Sequence, residues 1–539
     1  MKNRIFRILA VVTLIAALLT GCTGEQLKDF WQELQGALVG SLVTFDRMEY
    51  TRPDPDAFTR MVDDCSKNAQ TETDAAALME QVYAVYEAYY GFYTNYGLAD
   101  IHYCKDMTDI YWEEEYNYCL SVTSQIDAGL DELLYALAEC PLKEELETEE
   151  YFGADFFDSY EGESIWDETF TELMNQEAEL ISRYYELSAE SLTMDTYSEA
   201  FYNSCGREMA DLYVKMIALR QQIAEYLGYD SYLQFAYEYY YYRDYTPEQA
   251  MDYIEEIRKE LTPLYGKLSY DVWDPAYETV TEQEVFSYVK QAAQAMGGTF
   301  QAAFQLMEQG SLYDITYSEN KYNASFELYL PNYYVPFVFL NPGGTGRDKL
   351  TFAHEFGHFC SDYAAGGSMV GVDVAEIFSQ SMELLSLCYG EGDKALERMK
   401  LADSLCTFVE QSAFASFEHQ AYLLTDEELT TENVFALYEK TCTAYGFDSH
   451  YCDGRDFVTI PHFFTNPLYV ISYVVSNDAA IQYYQLEKKT AGEGVALLED
   501  TMATQQYSFL AFLEEAGLAS PFDPEAVAAL RKTLEAGLK

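Results

Sequence analysis

The strongest constraint on how this chain can fold is the segment 350–359, in which two histidines stand four positions apart. Four residues turn an α-helix by about 400°, so His354 and His358 lie on one face, about one turn apart. Two imidazoles at this spacing can bind one metal ion. Glu355 follows the first histidine, so it lies beside the ion and can take a proton from a bound water molecule. The segment therefore predicts a catalytic metal centre.

This spacing is rare by chance. The chain has six histidines and 91 acidic residues among its 539 residues. Random placement would give a histidine, an acidic residue and a second histidine at these positions about 0.01 times per chain, whereas the pattern has a defined zinc chemistry. A core helix with two hydrogen-bonded histidines is the simple alternative. Gly357 costs about 1 kcal/mol of helix propensity, so its place inside the motif predicts a packing or access role.

Two histidines leave a zinc site incomplete, and the next helical segment offers a carboxylate. Residues 373–383 have helical apolar spacing, and a pair of glycines allows a turn before them. Glu376 lies 18 residues after His358. Three protein ligands leave one position for water, which is the arrangement of catalytic zinc. Glu383, two turns further on, is expected to orient a ligand histidine. A solvated helix face explains the spacing of Glu376 equally well.

The N-terminus has the features of an export signal. Three basic residues among the first seven are followed by an apolar run over 8–19, which is shorter than the ~20 residues of a membrane span. Small residues directly before Cys22 resemble the lipobox of bacterial lipoproteins, in which the cysteine is lipidated. Ordinary secretion with a free Cys22 thiol is the alternative. We expect a signal peptide over 1–21 and a lipidated cysteine and tether over 22–45, anchored to the cell membrane on its extracytoplasmic side.

The chain is strongly acidic, with a formal net charge of -59 at pH 7. Such a surface repels phosphates, so nucleic acid is not an expected partner. Cationic peptides would be attracted, although salt screens this attraction beyond about 10 Å. The solubility that an exported protein requires also explains the charge, because the acidic residues are spread along the whole chain.

The cysteines permit disulfides but not a cysteine zinc site. Without Cys22, the 11 cysteines leave an even number, as is usual where disulfides form in an exported protein. No Cys-x-x-Cys pair occurs, so zinc binding by cysteines is not expected. Cys360 and Cys388 lie in apolar helical patterns and are expected in the core.

Most of the chain has helical periodicity, with apolar and aromatic residues three and four positions apart. Thr246 and Thr281 each begin a capping-box pattern, which predicts a helix start at both places. Residues 326–330 alternate apolar and polar side chains, and residues 333–340 are aromatic and β-branched, so we expect two short strands. Pro336 cannot donate a ladder hydrogen bond, which favours a sheet edge for the second strand. The prediction is a mainly α fold with a small β-sheet near the metal centre.

These features, taken in order, resemble the thimet oligopeptidase and oligoendopeptidase F family of zinc metallopeptidases, particularly its bacterial oligoendopeptidase branch. The metal-binding motif alone is shared by many peptidases, whereas the ordered set of similar segments is more specific. The resemblance extends over residues 46–480 and rests on the segments 47–54, 227–229, 243–248, 336–348, 354–358, 375–383 and 460–473.

The resemblance implies a mostly helical, two-lobed fold with a deep substrate channel and the zinc ion on the channel floor. We expect an N-terminal helical lobe over 46–205 and a catalytic zinc-peptidase lobe over 206–539. Enzymes of this family cleave oligopeptides and exclude folded proteins. By the same analogy, an edge strand over 333–340 pairs with the backbone of the substrate.

The resemblance also implies roles for individual residues. The ligands of one zinc ion per chain are His354, His358 and Glu376. Glu355 is the general base. A peptide carbonyl under attack develops negative charge on its oxygen, and a donor from outside the metal-binding helices would stabilise that charge. A helix over 462–473 would place three candidate donors on roughly one face. These candidates are His462, Tyr469 and Tyr473.

Two residues depart from the family pattern. Ile471 stands where relatives carry tyrosine, so at most two tyrosines of this segment, Tyr469 and Tyr473, can act. Phe378 replaces a polar residue in the helix that carries Glu376. Neither change removes a metal ligand or the general base.

Two other functions fit part of the sequence. A non-catalytic lipoprotein could capture peptides and pass them to a transporter, but such a protein would be free to lose Glu355, which is present. A carboxypeptidase or carboxydipeptidase of a related zinc fold would need a cationic group that holds the C-terminus of the substrate. The expected function is a zinc-dependent endopeptidase that hydrolyses oligopeptides at the outer face of the membrane.

The lipobox leads to a test of the anchor. Cys22→Ser removes the thiol that would be lipidated, so we expect the variant to be released from membranes or to remain unprocessed. Detergent partitioning and the mass of the mature N-terminus measure this. Cys140→Ser, which alters a thiol far from the N-terminus, is the control. Unchanged partitioning of the Cys22 variant would contradict lipidation.

Overall fold

The computed structural model of the chain describes residues 43–148, 151–160, 167–191, 194–367, 370–390, 393–447, 454–504 and 506–539. The predicted signal peptide, Cys22 and nearly all of the predicted tether lie outside these residues, so the anchor stays a prediction. No helix within the described ranges combines the length and the apolarity needed to cross a membrane.

Helices make up most of the structure, which confirms the predicted fold class. The helices before the sheet are α1 (Pro55–Ala69), α2 (Ala75–Lys105), α3 (Ile110–Ala138), α4 (Lys143–Leu146), α5 (Glu168–Ser191), α6 (Glu199–Phe201), α7 (Arg207–Tyr226), α8 (Tyr232–Phe235), α9 (Pro247–Glu260), α10 (Thr262–Tyr265), α11 (Glu282–Met296) and α12 (Gly298–Gly310). Helices α9 and α11 begin with complete capping boxes at Thr246 and Thr281, as the sequence predicts.

The helices after the sheet carry the predicted catalytic residues. They are α13 (Arg347–Ala365), α14 (Val372–Tyr389), α15 (Lys394–Tyr422), α16 (Thr431–Ala444), α17 (Pro461–Thr465), α18 (Ile471–Lys489), α19 (Glu493–Met502), α20 (Phe509–Ala516) and α21 (Ala526–Gly537). Short 3-10 turns lie at Phe45–Arg47, Phe156–Tyr160, Tyr270–Tyr277, Pro331–Tyr333 and Asp456–Thr459, and π turns at Tyr202–Gly206 and Ala236–Tyr240.

Within the described ranges, one three-stranded sheet precedes α13 in the chain. Its strands are β1 (Tyr313–Asp314), β2 (Ser325–Leu330) and β3 (Val335–Leu340), in the order β1-β3-β2. Strand β2 runs antiparallel to β3, with Ser325 opposite Leu340 and Leu330 opposite Val335. Strand β1 runs parallel to β3 and faces only Val338 and Phe339. The two predicted strands are present, and β1 is a further strand that the sequence pattern did not predict.

The predicted edge position of the second strand is wrong, because β3 lies in the middle and β2 is an outer strand. The direction of one nitrogen explains how β3 accommodates Pro336. Val338 donates its N–H to the carbonyl oxygen of Leu312 over 3.0 Å. Backbone nitrogens two residues apart in a strand point to the same side, so the nitrogen of Pro336 also points towards β1. Strand β1 begins to pair only at Val338, so Pro336 interrupts no ladder bond on that side.

Buried hydrophobic side chains form two clusters. The smaller one is made by residues between Phe58 and Phe157, which lie mainly on α1, α2 and α3. The larger one contains the sheet, helices α13 and α14 and the C-terminal helices, and α5 also contributes to it. Tyr50 and Tyr322 pack against both clusters. The boundary at residue 205 stays a prediction.

The pair α13 and α14 is the part of the fold that positions the metal centre. The carboxylate of Asp348 accepts hydrogen bonds from the backbone N–H groups of Gly343 (3.1 Å) and Thr345 (2.8 Å), which fixes the turn before α13. Helix α13 is followed by Gly366, whose φ of 72° lies in the left-handed region that favours glycine. The chain then returns as α14, as the spacing of the two motifs predicts.

Gly357 lets the two helices approach until their backbones touch. A Cβ atom at this position would lie 2.6 Å from the Cα atom of Ser379 and 2.7 Å from the carbonyl oxygen of Phe378. The predicted packing role of this glycine is therefore present. The side chain of Phe378 is fully buried and packs edge-on against Phe512, so this departure from the family pattern serves the core.

Eight cysteines of the described residues are free thiols, and six of them are buried. Cys360 is buried, as predicted, whereas Cys388 is only half-buried. Cys442 is disulfide-bonded. An oxidised cysteine agrees with an exported protein, but most of the thiols serve as small core residues.

The close helix contact leads to a test of stability. Gly357→Ala gains about 1 kcal/mol of helix propensity, but the new methyl group overlaps backbone atoms, so we expect a net loss of about 1–2 kcal/mol in the free energy of unfolding. Urea denaturation measures this change. Gly91→Ala is the matched control, because its methyl group would meet only the end of the Asn332 side chain, at 3.3 Å. Equal stability of the Gly357 variant would contradict the role of this glycine.

Candidate metal centre

Helices α13 and α14 bring the three predicted metal ligands together. The Nε2 atom of His354 lies 3.4 Å from Oε2 of Glu376, and Nε2 of His358 lies 3.8 Å from Oε1 of the same carboxylate. One donor atom from each residue lies within 4.8 Å of the others. Two imidazole nitrogens and one carboxylate oxygen form a common ligand set of catalytic zinc. The arrangement therefore fits one zinc ion.

The charge around His354 is also suited to a cation. Burial opposes its protonation, but the hydrogen bond to Glu383 and the nearby carboxylates of Glu376 and Glu355 raise the pKa of His354 to about 9. Burial lowers the pKa of His358 to about 4. A metal ion between the histidines would take over the role of the proton on His354, because both supply positive charge to the surrounding carboxylates.

Glu383 and Lys400 orient the first histidine. Oε1 of Glu383 lies 2.9 Å from Nδ1 of His354, which leaves Nε2 directed at the metal position. Oε2 of the same carboxylate lies 2.6 Å from Nζ of Lys400. Burial opposes ionisation of this carboxyl group, but the ammonium of Lys400 lowers the pKa of Glu383 below its usual value. The helical spacing predicts the role of Glu383, whereas Lys400 could not be predicted, because a lone lysine in a helix gives no signal of burial.

Two hydroxyl groups hold the ligand carboxylate of Glu376. Ser379, one turn further along α14, donates to Oε2 over 2.8 Å. Tyr469 donates to Oε1 over 2.7 Å. Burial and the charge of Glu376 hold the pKa of Tyr469 well above its usual value, so its hydroxyl stays protonated. The structure thus places Tyr469 against a metal ligand.

Glu355 lies at the face of α13 that meets β2. Its carboxylate is buried and is hydrogen-bonded by the hydroxyl of Ser325. Burial raises the pKa of Glu355 to about 7, although the charge of His354 acts in the opposite direction. A buried carboxylate beside the metal ligands is placed to exchange a proton with a bound water molecule. Glu327 on β2 is a further buried carboxylate in the same region, and its pKa is raised by burial, Asp362 and Glu355.

His462, Tyr469 and Tyr473 form a compact group next to the metal ligands. Their ring centroids are 5.3 to 5.7 Å apart in each pair. The hydroxyl of Tyr473 lies 3.2 Å from Nε2 of His462. Burial lowers the pKa of His462, so the imidazole is neutral at neutral pH. Ile471 is buried in the larger hydrophobic cluster.

The predicted single helix over 462–473 is wrong. His462 lies on α17, and Tyr473 lies on α18, which begins only at Ile471. Pro467 and Leu468 separate the helices, and Leu468 has a φ of 63°, which is rare for a residue with a branched side chain. The bend brings the two hydroxyls and the imidazole together, although they do not share one helix.

Buried side chains from distant segments hold this bend. The backbone N–H of Leu468 donates to the carboxylate of Glu418 over 2.9 Å, and the hydroxyl of Tyr241 donates to the carbonyl of Pro467 over 2.8 Å. Arg220, which is fully buried, donates to the carbonyl oxygens of Phe463 and Phe464 at the end of α17. The position of His462 therefore depends on contacts that no local pattern predicts.

Arg243 joins the helix of Glu376 to the helix of Tyr473. Its Nε atom lies 3.3 Å from Asp373 in the first turn of α14, and its Nη2 atom donates to Ser472 of α18 over 3.1 Å. The hydroxyl of Ser472 in turn donates to Asp373. All three side chains are buried. This network fixes the two helices relative to each other.

Comparison with known proteins agrees with the geometry. Residues 45–164 match the family model of the peptidase M3 N-terminal domain. A solved structure named as an oligoendopeptidase F has 19% sequence identity and a TM-score of 0.80, over 92% of this chain and 98% of that chain. The structure of PZ peptidase A with an inhibitor has 18% identity and a TM-score of 0.79, over 92% of this chain and 99% of that chain. An oligoendopeptidase F from Bacillus anthracis has 20% identity and a TM-score of 0.75, over 92% of this chain and 98% of that chain. No curated protein sequence matches significantly.

The fold and the site together support the predicted class of enzyme, a metalloendopeptidase. The predicted resemblance to the M3 and oligoendopeptidase F family is likewise confirmed by the N-terminal domain match and by the shared fold. The match of residues 45–164 and the shared fold support peptide hydrolysis.

The ligand geometry leads to a prediction for metal content. His358→Ala removes one of three ligands, so we expect zinc occupancy after dialysis against trace zinc to fall at least tenfold. Atomic absorption measures the zinc content of the folded variant. His102→Ala is the control, because that histidine stacks on Trp112 in the N-terminal part of the chain. Full occupancy in a His354→Ala, His358→Ala double variant would exclude this site.

Proposed function

We propose that the protein is a zinc-dependent endopeptidase that hydrolyses oligopeptides. The observation that supports it most directly is the meeting of His354, His358 and Glu376 beside a buried carboxylate, Glu355. A zinc ion bound by these residues would lower the pKa of a water molecule and polarise the peptide carbonyl.

Glu355 acts as the proton carrier in this proposal. It follows His354 directly, and its carboxylate is buried beside the metal ligands. Glu355 accepts a proton from the attacking water and passes it to the departing amine, as a general base and then a general acid. The hydroxyl of Ser325 holds the carboxylate in place during this transfer.

His462 and Tyr473 stabilise the negative charge that develops on the carbonyl oxygen. The Tyr473 hydroxyl and Nε2 of His462 lie 3.2 Å apart and share one hydrogen bond. If the N–H of His462 donates in this bond, the Tyr473 hydroxyl keeps its own proton for the carbonyl oxygen. Burial keeps the pKa of Tyr473 well above its usual value, and the hydroxyl remains a donor. Tyr469 has a different task, because its hydroxyl already binds Glu376. Both tyrosines were candidates from the sequence, and their contacts now suggest a division of roles.

The substrate backbone pairs with β2 rather than with β3. Strand β2 is an outer strand, and within the described residues it pairs only with β3. Its first residue, Ser325, contacts Glu355. A peptide added to this edge would pass the general base, which is the strand-addition mode of peptide recognition.

Two sequence and structural features bear on where the enzyme is located. The lipobox before Cys22 supports a lipid anchor, and the disulfide at Cys442 suits an extracytoplasmic compartment. We propose that the anchored enzyme meets its oligopeptides at the outer face of the membrane.

The role of Glu355 leads to a kinetic prediction. Glu355→Gln keeps the shape of the side chain but cannot accept a proton, so kcat should fall at least ~10²-fold with zinc content unchanged. An internally quenched peptide with blocked termini measures the rate and also separates endopeptidase from exopeptidase action. Glu319→Gln, at an exposed position, is the matched control. Near-normal turnover by the Glu355 variant would refute the assignment.

The two tyrosines lead to a paired prediction. Tyr473→Phe removes an oxyanion donor, so kcat should fall about 10²–10³-fold while KM and zinc affinity stay unchanged. Tyr469→Phe removes a hydrogen bond to a metal ligand, so zinc affinity should fall about 10–100-fold. Competition with a chelator and steady-state kinetics measure the two effects. If both variants keep the wild-type kcat, the hydroxyl donor lies elsewhere; His462→Ala then tests the remaining candidate.

A further inference from the structure

A cavity of about 420 Å³ lies between α2 and the outer strand β2. Four tyrosines of α2 and one aspartate line one wall, and Tyr329 of β2 lines the other. The residues of the α2 wall are Tyr89, Tyr90, Tyr93, Tyr96 and Asp100. The cavity therefore adjoins the strand edge on which the proposed function places the substrate.

Two features hold the aromatic wall in place. The hydroxyls of Tyr89 and Tyr93 donate to the carboxylate of Asp127 on α3, at 3.1 and 2.7 Å. Both hydroxyls are therefore tied to α3, and the rings remain as the surface of the cavity. Gly97 brings α2 close to β2, because a Cβ atom there would lie 3.1 Å from the side chain of Leu328. The wall is built before any ligand binds.

The chemistry of the cavity suits a cation. Aromatic faces attract a positive charge, with energies of about 0.5–2 kcal/mol per contact. Asp100 is half-buried at the same wall and is hydrogen-bonded by the thiol of Cys104, a weak donor, over 3.4 Å. Among the residues that the structure describes, no arginine, lysine or histidine lines the cavity. An apolar side chain would desolvate this carboxylate without compensation, whereas a lysine or arginine side chain would pair with it.

Charge on a larger scale acts in the same direction. The chain has a formal net charge of -59. Burial raises the pKa of Asp100 to about 6, so most of this carboxyl group is ionised at neutral pH. A cationic peptide is therefore attracted first by the whole surface and then by one defined position.

The strand gives the distance between the cavity and the reaction. Ser325 contacts Glu355, and Tyr329 lies four residues further along β2. A strand rises about 3.3 Å per residue, so the two positions are about 13 Å apart. We propose that the cavity is a specificity subsite that binds a lysine or arginine side chain of the peptide, three to five residues from the bond that is cleaved. This inference rests on the proposed function.

A peptide series tests the subsite. Peptides with blocked termini and one fixed cleavage site carry a single lysine, or norleucine as its neutral counterpart, at each position in turn. The ratio of kcat/KM for lysine over norleucine is measured for the zinc-loaded full chain. We expect a ratio of about ten at one position, three to five residues from the cleaved bond, and a ratio near one elsewhere. A ratio near one at every position, or a preference for norleucine in that range, would overturn the proposal.

Variants connect the preference to the cavity. Asp100→Asn should reduce the lysine ratio to about one, and Tyr90→Leu should reduce it about threefold. Asp64→Asn makes the same charge change at an exposed position of helix α1 and should leave the ratio of kcat/KM for lysine over norleucine unchanged. An unchanged ratio in a folded Asp100 variant would overturn the proposal, and the Tyr90 variant decides the matter if the Asp100 variant does not fold.

Binding separates this inference from the proposed function. If the zinc-loaded wild type cleaves none of the peptides, the proposed function fails. Fluorescence polarisation of the labelled lysine and norleucine peptides then tests the cavity alone. Tighter binding of the lysine peptide that is lost in Asp100→Asn would support the subsite, and equal binding of both peptides would refute it.

Discussion

The metal centre depends on a direct contact between two helix backbones. Only a residue without a side chain fits at Gly357, where a Cβ atom would lie 2.6 Å from the Cα of Ser379. This contact carries Glu376 to the two histidines on the neighbouring helix, and every other part of the site is arranged around these three ligands. A shift of one helix by the diameter of a methyl group would separate the carboxylate from the imidazoles, since cores of this density transmit displacement rather than absorb it.

A second constraint is the concentration of buried negative charge near the ligands. Glu355 and Glu383 lie beside the ligand carboxylate, and Lys400 is the buried cation that balances one of them. Buried charges require such partners because their desolvation is costly. The remaining negative charge is what makes the site suited to a divalent ion. The packing of the site and its affinity for a metal ion therefore both depend on this excess of buried negative charge.

Local sequence predicts much of this molecule, and the limits have physical causes. The spacing of His354 and His358 encodes their common face, and the capping box at Thr246 encodes a helix start, so both could be predicted. Strand order could not, since pairing between β1 and β3 depends on contacts between separate segments. The bend before Tyr469 was also missed, because it is held by Glu418 from a different helix. Residues that act through long-range contacts carry no signal of their own in a single sequence.

The position of Pro336 has a consequence for how the sheet can grow. A proline nitrogen offers no hydrogen on the β1 side of the central strand, and β1 itself covers only two residues there. New strands therefore cannot extend far along that side, whereas the opposite border keeps a full row of backbone groups. The two borders of the sheet therefore differ: the β1 border offers few backbone groups for pairing, whereas the β2 border can pair with an added strand. Such an asymmetry allows an added strand to pair at one border of the sheet only.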